Sequence, residues 1–184
     1  MQRRQFLAAG LGVALAGCAQ GSAGLTEDDT DTSGDGDLEV STSADLDREE
    51  IEVRIVAEMD ELRQAEHVQT LHHDASLREA AREHSRDMAE REFFGHTNPD
   101  GQEPWDRVRC DATENLQGGW HDRTETAAGR TVDGGTVEGV VATTIDGWTE
   151  SAEHYRNLMD TSVRAVGVGF YSDGQQWFVT AKYC

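Results

Sequence analysis

Positive charge is scarce in this chain of 184 residues, with 16 Lys and Arg against 36 Asp and Glu, a net −20 and a pI near 4.5. Lysine is almost missing: 15 of the 16 basic residues are arginine and Lys182 stands alone. The shortage argues against nucleic acid as a partner, because phosphate binding needs a Lys/Arg surface. Such a surface suits concentrated salt, where a Debye length of about 3 Å screens the self-repulsion that would destabilise the fold in dilute buffer. The compact catalytic and zinc signatures are missing as well. No H-E-x-x-H, G-x-S-x-G or C-x-x-C occurs, and Gly167-Val-Gly169 lacks the third glycine of a nucleotide loop. The longest apolar stretch, about 12 residues near the start, is too short to cross a bilayer as a helix. What remains is a length that suits one domain with room for a real core.

The apolar stretch belongs to Met1–Cys18, MQRRQFLAAGLGVALAGC. A basic start and a short apolar run describe an export signal. Arg3-Arg4 followed by Phe6-Leu7 resembles a twin-arginine signal, and Leu15-Ala16-Gly17-Cys18 resembles a lipobox in which Cys18 carries lipid. The alternative is an ordinary cleaved signal with an incidental cysteine. Lipidation would make the outer face of a membrane a partner of this chain. It would also leave Cys110 and Cys184 as an even pair outside the cell, where a disulfide is expected and two free thiols are the alternative. Residues 19–45 are acidic and rich in Ser, Thr and Gly, with no aromatic residue, so they cannot bury enough apolar area to order themselves and read as a tether. Asp29, Asp31 and Ser33-Gly34 imitate the start of a calcium loop. Val40 stands where that loop needs Glu, so a solvated linker is the better reading.

Residues 46–184 hold the pattern of a folded domain, and within 51–184 the charge is 25 acidic against 13 basic residues, net −12. Ile51, Ile55, Met59 and Leu62 recur at helical spacing. Ser76-Leu-Arg-Glu79 looks like a capping box that opens a second helix, with a stripe of Leu77, Ala80, Ala81, His84 and Met88. Gly118 to Gly135 reads as loop with at most a short strand, and Val137 to Trp148 as a third helix. Residues 165–171 and 176–183, joined by Ser172-Asp-Gly-Gln175, make an antiparallel hairpin. Helices first and strands late give an α+β fold.

Seven histidines compete for a chemical role. His67, His72 and His73 sit in a polar connection, His121 in a loop, and His84 on an apolar stripe where a core position is expected. His96 and His154 stand at element boundaries, with Glu114 between them. Two imidazoles and a carboxylate suffice to hold a divalent metal with an open position for water, but sequence separations of 18 and 40 residues do not by themselves bring them together.

Four blocks carry a resemblance that covers nearly all of residues 46–184: HSRDMAEREFFGHTNPDGQEPWDR, ENLQGG, GWTESAEHYRNLM and AVGVGFYSDGQQWFVTAKYC. In this order they resemble the CAP superfamily, the SCP domain of cysteine-rich secretory, antigen 5 and pathogenesis-related proteins, in its short prokaryotic form. The resemblance implies an α-β-α sandwich with a central antiparallel sheet. It also implies a cleft of two His and acidic residues that in some members binds zinc (Zn2+) or another divalent cation. His96 matches the first cleft His, Glu114 the Glu of the E-N block and His154 the second His. Glu150 and Glu153 are the candidates for a fourth cleft residue, at spacings that do not clearly match. Ser151 is expected to cap a helix with His154 in its first turn, where the positive end would favour a neutral imidazole. Asp106 is a candidate to support the site. The function expected is an exported, membrane-anchored module that binds a metal and a small-molecule, lipid or protein ligand. The alternatives are a metal-dependent extracellular hydrolase with Glu114 as general base and a cell-envelope spacer.

Overall fold

The computed structural model describes residues 46–122 and 124–184. The signal, the acidic tether, the calcium-like stretch and Cys18 lie outside the described residues. Among the described residues four helices run in chain order: α1 (Arg48–Ala65), α2 (Ala75–Glu90), α3 (Val137–Glu150) and α4 (Ala152–Leu158). A short 3-10 helix spans Pro104–Arg107. The main sheet contains β1 (His72–His73), β2 (Thr113–Trp120), β5 (Ala165–Ser172) and β6 (Gln176–Tyr183) in the order β1-β5-β6-β2. A small ribbon pairs β3 (Thr124–Glu125) with β4 (Thr131–Val132).

The fold is α+β as expected, with one correction to the sheet. β2, β6 and β5 are antiparallel, but β1 lies parallel to β5, so the sheet is mixed. His72 and His73, read as an exposed connection, are exposed as expected, yet their backbone pairs with Ala165 and Val166. Polarity alone does not reveal a two-residue edge strand.

α2 covers one face of the sheet, and it approaches closely because β5 presents glycine there. A Cβ on Gly167 or Gly169 would fall 2.0 or 2.1 Å from the backbone nitrogen of Arg78 or Arg82. The opposite face carries the main core, where Val166, Val168, Phe170, Val179 and Ala181 pack against Ile51 and Ile55 of α1 and Val140 and Trp148 of α3. This alternation follows from the period of two in each strand. Between the layers, buried Glu52 of α1 accepts Arg82 Nε of α2 at 2.7 Å and the Phe170 N–H of β5 at 3.1 Å. One carboxylate thus ties both helices to the sheet.

The cap of α2 is Asp74 rather than Ser76, and its carboxylate accepts the N–H groups of Ser76 and Leu77. An ionised acceptor at the positive end of a helix binds these donors more strongly than a hydroxyl does. Of the expected stripe, Leu77, Ala81, His84 and Met88 are buried and Ala80 is half-buried, and Ser85 joins them because its Oγ donates to buried Gly169 O at 2.9 Å. The β5–β6 hairpin turns where expected, with Gly174 at φ 89° and the Asp173 carboxylate accepting the N–H groups of Gln175 and Gln176. Cys110 and Cys184 form a disulfide with Cα atoms 6.0 Å apart, which ties the chain just before β2 to the end of β6.

β2 is the element that composition concealed. Gly118 and Gly119 depress strand propensity, but Gly119 is required because a Cβ there would enter the Trp177 ring at 2.4 Å. The same argument yields a test at the α2 contact. Gly169→Val should destabilise the domain by about 1–3 kcal/mol or prevent folding, as read by chemical denaturation in molar salt. An unchanged midpoint would refute the close helix–strand contact.

Candidate functional site

The site is built on the even positions of β2, which face α2. Glu114 lies in register beside Lys182 of β6, which in turn pairs with Gly167 of β5, so the three form one row across the sheet. Glu114 is 3% exposed and Lys182 0%, and Lys182 Nζ donates to Glu114 Oε2 at 2.6 Å. The other oxygen, Oε1, accepts Arg107 Nη2 at 2.9 Å and His96 Nδ1 at 3.1 Å, with His84 Nε2 3.5 Å away. His84 Nε2 also lies 3.1 Å from Gly95 O, which can only accept, so that nitrogen carries the proton. Arg107 bonds the carbonyls of His96 and Gln102 as well, and so fastens the loop that carries His96 onto β2.

Burial pushes the Glu114 carboxyl up. The hydrogen bond with His96 and the charges of Lys182 and His84 outweigh that and hold it at about 2. Burial pushes the His84 imidazole down to about 4, against the opposing charge of Glu114. Burial also lowers Lys182, and again Glu114 opposes it. A carboxylate held this low, with both oxygens engaged, is too weak a base for proton abstraction near neutral pH, so Glu114 does not fit the general-base role that the hydrolase reading gives it. It does not fit the metal role either, because a divalent cation would have to displace the ammonium or guanidinium already seated on the carboxylate. Among the described residues, no group of three or more His, Cys, Asp or Glu side chains is arranged to hold a metal ion.

His154 reaches the same end of β2 from the opposite face. Ser151 caps α4 as expected, its hydroxyl accepting the His154 N–H at 3.4 Å. Asn115 Nδ2 donates to His154 O at 2.9 Å and to Tyr183 Oη at 3.2 Å, while Asn157 Nδ2 donates to Asn115 Oδ1 at 3.0 Å. This network fixes the start of α4 to β2. The His154 pKa is lowered first by burial and next by the charge of His96. The expected cause was the helix end. Glu150 and Glu153 are exposed, and neither bonds His96, Glu114 or His154. Asp106 turns back to accept the Glu103 N–H at 2.9 Å and does not join the cluster.

Beside His154 opens a cleft of about 450 Å³ walled by Phe94, Leu116, Phe178 and Trp120, with Glu125 on its rim. Phe94 is 60% and Trp120 53% exposed, and the Phe94 and Phe178 rings stand 6.4 Å apart. A cleft of about 480 Å³ at the other edge of the sheet, lined by Val53, Val56 and Val166, contains none of the expected site residues.

The structure thus joins His96 directly to Glu114 and places His154 across the strand from them. Reading the sequence missed His84, Arg107 and Lys182 as members, and Phe94 and Trp120 as cleft walls. One signal for Lys182 was available: it is the chain's only lysine and alternates with Phe178 and Thr180 on one strand face.

The charged cluster should make the protein acid-labile in two steps. For His84, the unfolded chain takes up a proton near pH 6.5 and the folded one only near 4, so stability falls as pH drops through that window. Glu114 contributes stability that is present above about 4.5 and lost as pH falls toward about 2. Each step amounts to about 3 kcal/mol. Denaturation curves from about pH 7 to about pH 2 span both windows and test this, and His84→Gln should flatten the upper step. An identical pH profile for that variant would refute the assignment.

Comparison with known proteins places this geometry. Residues 56–183 match the family model described as CAP, the cysteine-rich secretory protein family. Among solved structures, the fold is similar to an extracellular protein containing a SCP domain from Bacillus anthracis (23% identity, TM-score 0.57, covering 74% of this chain and 40% of that one). It is also similar to an outer surface protein of Borrelia burgdorferi (20%, TM-score 0.56, 73% and 92%). A third is a cysteine-rich secretory protein of Staphylococcus aureus (14%, TM-score 0.52, 74% and 38%). This chain therefore spans well under half of the Bacillus and Staphylococcus chains and nearly all of the Borrelia one. The search of curated proteins found no match. With the family model covering most of the domain and the fold agreeing, the chain belongs to the CAP, or cysteine-rich secretory protein, family.

Proposed function

We propose that this chain is an exported CAP module that holds a ligand with an apolar part in the cleft beside His154, without turnover and without a resident metal. The observation that carries the reading is the cleft itself, which is lined by two aromatic side chains, Phe94 and Trp120, that stay more than half exposed. Large exposed apolar surface on a highly charged domain marks a place where something binds. The neighbouring carboxylate supports binding over catalysis, because Lys182 and Arg107 hold Glu114 as a structural anion. Export is supported by the signal-like residues 1–18 and by relatives described as extracellular or outer surface proteins. In this reading Cys18 carries lipid, residues 19–45 hold the domain off the membrane, and the acidic surface serves concentrated salt.

Binding of an apolar fluorescent probe such as anilinonaphthalene sulfonate, measured in molar salt, tests the cleft. Phe94→Ser and Trp120→Ser should each weaken it about tenfold, and zinc or a chelator should leave it unchanged. Equal binding by all three proteins would overturn the reading, as would time-dependent cleavage of a peptide or ester library that chelation abolishes. The anchor has its own test: Cys18→Ser should release the protein from membranes into the medium, and unchanged membrane retention would refute lipidation of Cys18.

A further inference from the structure

We infer that the cleft takes an extended, cationic peptide segment that adds to the free edge of β2 as a further strand; this rests on the binding reading above. The sheet order leaves β2 as an edge strand. The backbone direction follows from the register. Cys184 exchanges both hydrogen bonds with Ala165, and the Phe170 N–H points away from β6 to Glu52, so the odd residues of β5 bond the even residues of β6. The odd residues of β6 therefore bond the odd residues of β2, and the even residues of β2 turn their N–H and C=O groups outward.

Side chains already occupy the first half of that edge. Glu114 O accepts Asn157 Nδ2 at 3.4 Å and Leu116 O accepts Trp148 Nε1 at 3.1 Å. At Gly118 the covering is lighter. Its carbonyl accepts the amide of its own neighbour Gln117 at 3.2 Å, and among the described residues its N–H donates to no protein acceptor. Gly118 is half-buried, lines the cleft, and has no side chain to hold another backbone away. One donor and one lightly held acceptor, both on one residue, offer the paired contact that an incoming strand makes. The Gln117 amide holds the carbonyl in the meantime and can swing aside.

The side chains specify the segment further. A strand laid here alternates its residues between the Phe94–Phe178 wall and solvent. Among the described residues that line the cleft, Glu125 is the only formally charged one, and the domain around it carries net −12, so a basic residue fits and an acidic one is repelled. The same charge disfavours a second copy of this chain as the occupant.

The full chain titrated with an acetylated, amidated octapeptide of alternating valine and arginine tests the proposal, with Trp fluorescence and Gly118 amide hydrogen exchange as readouts. The peptide should bind and slow exchange at Gly118. N-methylating one alternate set of its residues should weaken binding about tenfold or more, as expected for lost backbone hydrogen bonds, and methylating the other set should have little effect. Glutamate in place of arginine should also weaken binding. Gly118→Pro, which removes the donor, should behave like the methylated peptide, with Gly118→Ala as the folded control that keeps the N–H. Should Gly118→Pro fail to fold, the methylated peptides and the exchange readout decide alone. Equal binding by both methylated sets, or unchanged Gly118 exchange, would overturn strand addition. Probe binding without peptide binding would sink this proposal and leave the cleft reading intact, whereas loss of both would remove the two together.

Discussion

The buried ion pair between Glu114 and Lys182 is the constraint around which the rest of this domain is arranged. Bringing a carboxylate and an ammonium out of water costs several kcal/mol per ion unless each finds close partners. Here the two sit side by side in the sheet, and every neighbouring element adds a partner. The loop after α2 brings His96, the short 3-10 helix brings Arg107, and α2 itself brings His84. The cluster therefore welds the second half of the sheet to the irregular segment between α2 and β2, which has few apolar residues of its own to pack. Arg107, with three carbonyl or carboxylate acceptors, is the centre of that weld.

This view changes what the His and Glu residues of the cleft mean. An acidic residue flanked by imidazoles invites a reading as metal ligand or base, and in a chain with 36 acidic residues such neighbours arise easily. What separates the roles is how the carboxylate is satisfied. On Glu114, Oε1 accepts Arg107 and His96 and Oε2 accepts Lys182, so the carboxylate is already engaged as the counter-ion of two fixed cations. The surface that remains available for recognition lies alongside, where Phe94, Trp120 and Phe178 meet the open end of β2.

How much could be read in advance varied with the kind of signal. α1, α2 and the β5–β6 hairpin were legible because their periodicity or turn chemistry is local. The Cys110–Cys184 pairing followed from counting, once Cys18 was set aside for lipid. β2 was not legible, since Gly118 and Gly119 argue against a strand unless Trp177 is known to lie across one of them. The parallel β1 was missed for a similar reason, as two histidines pair only because β5 offers an edge. Of the candidate site, the motif blocks pointed to His96, Glu114 and His154, whereas Glu150, Glu153 and Asp106 turned out to lie outside the cluster. His84 lies in the core as expected, and its closeness to Glu114 was not legible because it depends on strand register.

By itself the sequence determined the character of this protein: acidic and lysine-poor, helices first and strands late in an α+β pattern, and the inward faces of α1, α2 and the β5–β6 hairpin. These follow from composition and from periods of 2 and 3.6 residues, which are properties of a local stretch of chain. Only the tertiary structure decided what Glu114 does. Its partners come from positions 84, 96, 107 and 182, and whether a carboxylate is a base, a ligand or a counter-ion depends on which charges stand within about 3 Å of it in a buried setting. That proximity is set by strand register and helix packing, which no local pattern encodes.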